Sequence, residues 1–201
     1  VKVLNSIPAY QDEFKAAFSD YQDGITIEQI TKALASFEDT LVTPNSRFDQ
    51  WLAGDDKAIN EQELRGYQTF KQSGCVACHN GELLGGGSFQ KFGVFEQYTT
   101  KNLAEGRFAV TGKPEDKMMF KVPTLRNIEL TYPYFHDGQV NSLEEAVQIM
   151  GKIQLNKEFT DAEKADIVAF LRTLTGDQPK FQYPQLPPSN PNTPLPNPFG
   201  E

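Results

Sequence analysis

The 201-residue sequence has few of the side chains that build disulfide or metal scaffolds, with two cysteines, two histidines and three methionines. Two cysteines form at most one disulfide, which excludes the class of small disulfide-rich proteins. No apolar run approaches the roughly 18 residues that a transmembrane helix requires, so we expect no membrane span. Acidic residues outnumber basic ones by 27 to 19, and the resulting net charge of −8 argues against nucleic acid or an anionic membrane as a partner.

The spacing of apolar residues predicts helices in the first part of the chain. Apolar side chains recur at helical intervals around Phe14 and Phe37, and again after Ser46 and Asn60. Glu63 follows Asn60 at the spacing of a capping box, which marks the start of a helix. We therefore expect four short helices before the first cysteine.

Two further helices are expected near the end of the chain. One is predicted from Ser142 to Met150, and a clearer one from Asp161 to Leu174. Thr160 and Glu163 have the spacing of a capping box at the start of the second helix, and Gly176 is placed to end it.

The segment from Asn80 to Lys121 has no clear helical period, and the run Gly85–Gly87 interrupts it. We expect a long loop or short strands here, because the glycine run lacks the Lys-Ser/Thr of a phosphate-binding loop. Eight of the thirteen prolines lie between Pro179 and Pro198, which predicts an extended C-terminal tail. The expected boundaries are a domain over residues 1–176 and a proline-rich tail over residues 177–201.

Cys75, Cys78 and His79 form a C-x-x-C-H sequence, which is the attachment signature of c-type haem. Two cysteines three residues apart on one helical turn present both sulfurs to the two vinyl groups of a porphyrin. The histidine that follows places its imidazole under the ring, where it binds the iron. The sequence therefore predicts one covalently bound haem c.

Three alternatives compete with haem attachment. A disulfide between Cys75 and Cys78 would close a very short loop and stabilise little. A thioredoxin-like redox pair belongs in a βαβ unit, whereas the surroundings here are predicted to be helical. A zinc site needs a further ligand or a second cysteine pair, and the sequence has no second pair.

The iron needs a sixth ligand, or else this position is open to small molecules. The candidates are Met118, Met119, Met150 and His136. Methionine–histidine ligation favours electron transfer and raises the reduction potential. Met150 is favoured because it closes the predicted helix and precedes a glycine, which would let the backbone approach the ring. Lys121 and Arg126 either neutralise the haem propionates or are solvated.

Eight segments along the chain carry a resemblance to a known family. They are Ser6–Tyr10, Leu41–Asp49, Phe70–Gly81, Phe120–Asn127, Thr131–Gly138, Ala146–Gly151, Asp161–Gly176 and Pro184–Ser189. Together they resemble the second haem-binding half of the bacterial di-haem cytochrome c peroxidases. The combination covers nearly the whole chain and is much more specific than C-x-x-C-H alone.

The resemblance implies an all-α, cytochrome c-like haem domain with long loops, which holds the high-potential haem where electrons enter. It implies that Cys75 and Cys78 carry the thioether bonds, that His79 is the proximal ligand of the iron and that Met150 is the distal ligand. It also implies a calcium ion between two haem domains, with the backbone oxygens of Thr131 and Pro133 as ligands. His136 matches a position between the haems of that family, with either a structural or a catalytic role.

The chain departs from the family in having one haem motif where the family has two. The half in which peroxide is reduced is not in this sequence, so the chain is expected to be either a fragment or a stand-alone relative. The first interpretation makes it the electron-transfer half of a peroxidase that reduces hydrogen peroxide to water and that is inactive as an enzyme by itself. The alternative is a mono-haem electron-transfer cytochrome, and a third is a relative that oxidises an organic or protein substrate.

The resemblance also implies partners and a compartment. We expect a small cytochrome c or a copper protein as electron donor and a peroxidatic haem domain as recipient. Because the family is often dimeric, a homodimer is also an expectation. Covalent haem attachment and the resemblance both indicate the periplasm.

Overall fold

The computed structural model describes residues 1–102, 104–195 and 197, so that part of the predicted tail, Pro196 and residues 198–201, lies outside the described residues. Within the described residues the chain forms eight α-helices and one pair of short strands. The helices are α1 Lys2–Asn5, α2 Pro8–Ala17, α3 Ile27–Glu38, α4 Arg47–Leu52, α5 Glu61–Gln72, α6 Phe108–Thr111, α7 Leu143–Leu155 and α8 Asp161–Arg172. The strands β1 Phe89–Lys91 and β2 Met119–Lys121 pair antiparallel.

Side-chain caps fix the starts of α3, α4, α5, α7 and α8. In α8 the Thr160 hydroxyl accepts a hydrogen bond from the Glu163 amide at 3.2 Å, and the Glu163 carboxylate accepts one from the Thr160 amide at 2.9 Å. Asn60 and Glu63 form the same reciprocal pair at the start of α5. Both predicted capping boxes are therefore confirmed, and they satisfy amides that have no partner inside the helix.

The chain divides into two compact units, and one of them combines Val1–Val42 with the tail from Pro179 onward. Within this unit the ring of Phe181 meets the ring of Phe37 edge-on, with 6.0 Å between the centroids. The Ser6 hydroxyl donates to Thr193 Oγ1 at 3.1 Å. The tail therefore contacts α3 and the residue that follows α1. The boundaries at 1–176 and 177–201 stay a prediction.

The second unit, Thr43–Gln178, contains the main hydrophobic core. Helix α8 lies at its centre and packs against α5 and α7. Gly66 of α5 allows the closest approach, because a Cβ there would lie 1.8 Å from the carbonyl oxygen of Asp166. The most deeply buried core side chains of this unit are Phe170, Leu174, Ile167 and Val168.

Helix α7 is longer than the sequence predicts. It continues past Met150 to Leu155 and ends at Asn156, whose φ of 50° is left-handed. Gly151 lies inside the helix. It makes room for a neighbouring ring, because a Cβ on Gly151 would lie 2.6 Å from Cε2 of Phe159. The predicted setting of Met150 is therefore wrong, since this residue lies inside the helix and is not at its end.

Candidate functional site

The C-x-x-C-H segment forms a tight turn directly after α5. Gly74 adopts a φ of 94°, which reverses the chain after the helix, and Cys75–Ala77 then form a single 3₁₀ turn. The amide of His79 donates to the carbonyl oxygen of Cys75 at 3.0 Å, so the histidine lies one turn after the first cysteine. Both thiols are free and partly buried, and Cys75 packs against the hydrophobic core.

The surroundings of the thiols decide among the alternatives. Burial raises the pKa of the Cys75 thiol to about 11, whereas a redox-active pair needs a cysteine with a lowered pKa. Throughout the part of the chain that the structure describes, no group of three or more His, Cys, Asp or Glu side chains is placed to bind a metal ion. The raised pKa of Cys75 argues against redox exchange, and two free thiols on one turn suit thioether formation.

The imidazole of His79 is oriented by a backbone carbonyl group. Its Nδ1 atom lies 3.2 Å from the carbonyl oxygen of Leu84. A carbonyl oxygen only accepts, so Nδ1 carries the proton and Nε2 keeps its lone pair. Burial lowers the pKa of His79 in spite of the carbonyl oxygens of Leu84 and Pro123, which act in the opposite direction. The ring is therefore neutral and has the tautomer that a haem iron requires.

The glycine run holds this carbonyl group in place. Leu84 has a φ of 46°, and Gly85 has a φ of 138°. A Cβ on Gly85 would lie 2.1 Å from the carbonyl oxygen of Pro123, and the amide of Gly86 donates to the carbonyl oxygen of Val122 at 2.8 Å. The run is thus pinned against the Val122–Pro123 segment. No motif in the sequence identified Leu84, because its orientation depends on residues almost forty positions later.

The C-terminal end of α7 lies beside the haem-motif turn. A Cβ on Gly74 would lie 3.8 Å from Cδ2 of Leu155, and the ammonium group of Lys157 donates to the Ser73 hydroxyl at 3.1 Å. Helix α7 also carries Met150, which is partly buried. The structure brings the helix of the predicted distal ligand to the turn of the predicted proximal ligand, and the role of Met150 stays a prediction.

The other candidate ligands lie on different elements. Met118 has a φ of 60° and precedes β2, which begins at Met119. The ring of His136 stacks on Phe120, with centroids 4.6 Å apart, and Phe92 contacts it edge-on at 5.5 Å. The sequence identified these residues as candidate ligands but did not predict the aromatic packing around His136.

Two buried side-chain atoms in the described residues have no hydrogen-bond partner, namely Nε2 of His136 and Oε1 of Gln148. Gln148 lies on α7, two residues before Met150. Buried polar atoms are nearly always paired in folded proteins, so these two atoms are exceptions. The two free thiols and the lone pair that His79 keeps on Nε2 make the chain fit a haem.

Comparisons with known proteins identify the family. A family model described as "Cytochrome c" matches residues 64–175, and one described as "Di-haem cytochrome c peroxidase" matches residues 1–57. The chain is 60% identical over 98% of its length to the cytochrome c551 peroxidase of Nitrosomonas europaea, and 44% identical over 97% to that of Pseudomonas aeruginosa. The chain belongs to the di-haem cytochrome c peroxidase family. Its all-α, cytochrome c-like fold and the family both imply covalently bound haem c.

The match covers only part of these relatives. The chain spans 59% of the Nitrosomonas peroxidase and 57% of the Pseudomonas one. Among solved structures, it is similar to a MauG-like protein associated with microbial copper homeostasis. That similarity has a TM-score of 0.68 at 28% sequence identity, and it covers 84% of this chain and 59% of that one.

Arg126 does not lie free for a haem propionate. Its guanidinium group donates to the carbonyl oxygen of Glu82 at 2.8 and 2.9 Å and lies 2.7 Å from a carboxylate oxygen of Asp49. This arginine ties the loop after His79 to α4, which neither of the two expected roles anticipated. Lys121 is exposed on β2.

The residues predicted for calcium lie in an exposed loop. Thr131 follows a 3₁₀ turn at Ile128–Leu130, and Pro133 is exposed two residues later. Calcium binding at Thr131 and Pro133 stays a prediction. No helix in the described residues is long and apolar enough to span a bilayer.

Proposed function

We propose that this chain is the electron-transfer haem half of a di-haem cytochrome c peroxidase that reduces hydrogen peroxide to water. The single observation that carries the proposal is the His79–Leu84 contact, because it orients a neutral imidazole beside two free thiols. The cytochrome c551 peroxidases that share up to 60% identity with the chain support the reaction class. The electron donor is a small cytochrome c or a copper protein, and the compartment is the periplasm, where covalent haem attachment belongs.

Four side chains hold the haem in this proposal. Cys75 and Cys78 would form the thioether bonds, and Nε2 of His79 and the sulfur of Met150 would bind the iron. The haem, when bound, supplies an iron that accepts and releases one electron at a time. The chain contributes the neutral tautomer of His79 and the apolar surroundings of Cys75, and Met150 would close the sixth position of a bound iron.

The closed position assigns peroxide chemistry to another domain. Peroxide must bind an iron that has an open coordination position, and a methionine-ligated iron offers none. The peroxidatic haem domain is therefore a partner of this chain, and a calcium ion held partly by the carbonyl groups of Thr131 and Pro133 lies between the two domains. A homodimer is a further element of the proposal.

A haem determination tests the attachment directly. The chain is expressed with a c-type haem maturation system, and the expected product carries one haem that stays bound after denaturation. The double variant Cys75→Ser and Cys78→Ser should lose the covalent haem. Gly87→Ala, at an exposed position, is the control and should keep it. Haem that is extracted from the unaltered chain by acid and organic solvent would contradict the proposal.

A further inference from the structure

Two large apolar side chains are held in solvent next to the end of α7. Val94 is 56% exposed and Phe95 is 63% exposed. They lie in the loop Gly93–Glu96, which we call the 93–96 loop. Apolar side chains scattered singly over a surface are common, but these two are adjacent and their backbone is anchored on both sides.

Helix α7 anchors the backbone of the 93–96 loop. The amides of Gly93 and Val94 both donate to Oε1 of Gln154, at 2.8 and 3.0 Å. The amide of Phe95 donates to the carbonyl oxygen of Ile153 at 2.9 Å. This carbonyl lies in the last turn of α7, where it has no partner inside the helix. The loop is thus a cap for the helix end.

The two ends of the loop are anchored as well. The ring of Phe92, just before it, packs against Tyr98 with centroids 5.0 Å apart. Gly93 has a φ of 87°, and a Cβ there would lie 2.7 Å from the carbonyl oxygen of Glu96. This tight turn leaves Val94 and Phe95 in solvent, between the partly buried Phe92 and the buried Tyr98. Their exposure therefore follows from a fixed backbone.

The loop lies at the same end of α7 as the haem motif. The last residue of α7, Leu155, lies against Gly74, immediately before Cys75. Ile153 and Gln154, which anchor the loop, directly precede Leu155. If the turn holds a haem, an electron carrier that docks on Val94 and Phe95 comes close to it.

We propose that Val94 and Phe95 form the docking surface for a small basic cytochrome c. This inference rests on the proposed electron-transfer function and adds the surface on which the donor docks and the charge of that donor. The chain has a net charge of −8, which attracts a basic protein over a distance. At the surface itself Glu96 is paired with Lys152 at 3.0 Å, so the apolar residues are flanked by charges that cancel.

The size of the surface also favours this partner. Two side chains bury far less than the roughly 800 Å² per partner of a stable interface, and weak, short-lived contacts of this kind are typical of redox partners. Docking transfers one electron from the reduced cytochrome to the oxidised haem of this chain, and no bond is made or broken. A second copy of the chain is the other candidate occupant.

Stopped-flow exchange with mitochondrial cytochrome c, used as a small basic probe, tests the surface. Phe95→Ser in the haem-loaded chain should lower the second-order rate constant about tenfold, as expected when an apolar anchor is removed from a small interface. Val94→Ser should lower it by a smaller factor. Val110→Ser is the matched control, because Val110 is 90% exposed in the same compact unit on α6, and it should leave the rate unchanged. Reduction by ascorbate and the reduction potential should be the same in all four proteins.

The outcomes separate this proposal from the proposed function. Fast exchange in the unaltered chain with an equal rate in Phe95→Ser would overturn the docking surface and leave the electron-transfer function standing. No exchange in the unaltered chain would overturn both. Self-association in the ultracentrifuge that Phe95→Ser abolishes, with an unchanged exchange rate, would assign the surface to a second copy and overturn the cytochrome proposal.

Discussion

The Nδ1 atom of His79 lies 3.2 Å from the carbonyl oxygen of Leu84, and this contact determines which nitrogen of the ring is available to a metal. Because the carbonyl group only accepts, the proton stays on Nδ1 and the lone pair of Nε2 faces the other way. The geometry of the candidate site thus depends on the backbone of residues 84–86, which contains no conventional ligand.

Gly85→Ala should destabilise the chain. Its φ of 138° disfavours any side chain, and a Cβ would lie 2.1 Å from the Pro123 carbonyl oxygen. We expect the free energy of unfolding in urea to fall by about 2–4 kcal/mol. Gly87→Ala is the matched control, because a Cβ there meets nothing within 4 Å, and it should change the free energy by less than about 0.5 kcal/mol. Equal effects of the two substitutions would contradict the role of Gly85.

Local signals in the sequence predicted much of the fold, and long-range contacts explain what it missed. The capping pairs at Asn60 and Thr160 depend on residues three positions apart, so both were visible. The end of α7 was not, because the helix continues past Met150 to Leu155, and no local signal showed that Gly151 packs against the ring of Phe159. The haem motif was visible for the same local reason as the caps. The carbonyl group that orients its histidine was not, since Gly85 and Pro123 are far apart in sequence.

Glu63 should stabilise the chain most at neutral pH. Its carboxylate accepts hydrogen bonds from the Arg47 guanidinium and from the Asn60 amide. Burial alone would raise the pKa of Glu63, but these hydrogen bonds outweigh it and the pKa is lowered. The unfolded chain therefore binds the proton more readily, so this stabilisation is full above the unfolded pKa, about 4.3, and is lost as the pH falls through the folded pKa.

Glu63→Gln tests this dependence. At pH 7 it should lower the free energy of unfolding by about 1–3 kcal/mol, because the hydrogen bonds from Arg47 to the buried side chain of residue 63 become weaker. The difference from the unaltered chain should shrink as the pH is lowered below about 4. Glu61→Gln, an exposed residue in the same first turn of α5, is the control. A difference that stays constant from neutral to acid pH would show that the carboxylate charge is not responsible.

Met150→Ala should open the sixth position of the iron. We expect the sulfur-to-iron band of the oxidised spectrum to disappear and the reduction potential to fall by more than about 0.1 V, because axial ligands control the potential. Met118→Ala and Met119→Ala are the controls, and both should keep the band. If one of them loses it while Met150→Ala keeps it, the ligand is assigned wrongly.

Calcium should bind weakly or not at all to this chain alone. The carbonyl groups of Thr131 and Pro133 are only part of the six to eight oxygen ligands that calcium needs, and a second domain would supply others. Isothermal calorimetry at 25 °C should detect no binding tighter than about 0.1 mM. Tight binding would mean that this chain holds a complete calcium site by itself. The site would then lie elsewhere than at Thr131 and Pro133.

The central claim is that this chain transfers electrons but does not turn over peroxide, and stopped-flow mixing of the reduced, haem-loaded chain tests it most directly. One syringe delivers hydrogen peroxide and, in a separate experiment, an oxidised small cytochrome. With Met150 on the iron and one haem in the chain, we predict rapid exchange with the cytochrome and slow, non-saturating oxidation by peroxide. Rapid and saturable turnover of peroxide by the 201-residue chain would contradict the account, because it would require an open iron position and no second haem domain.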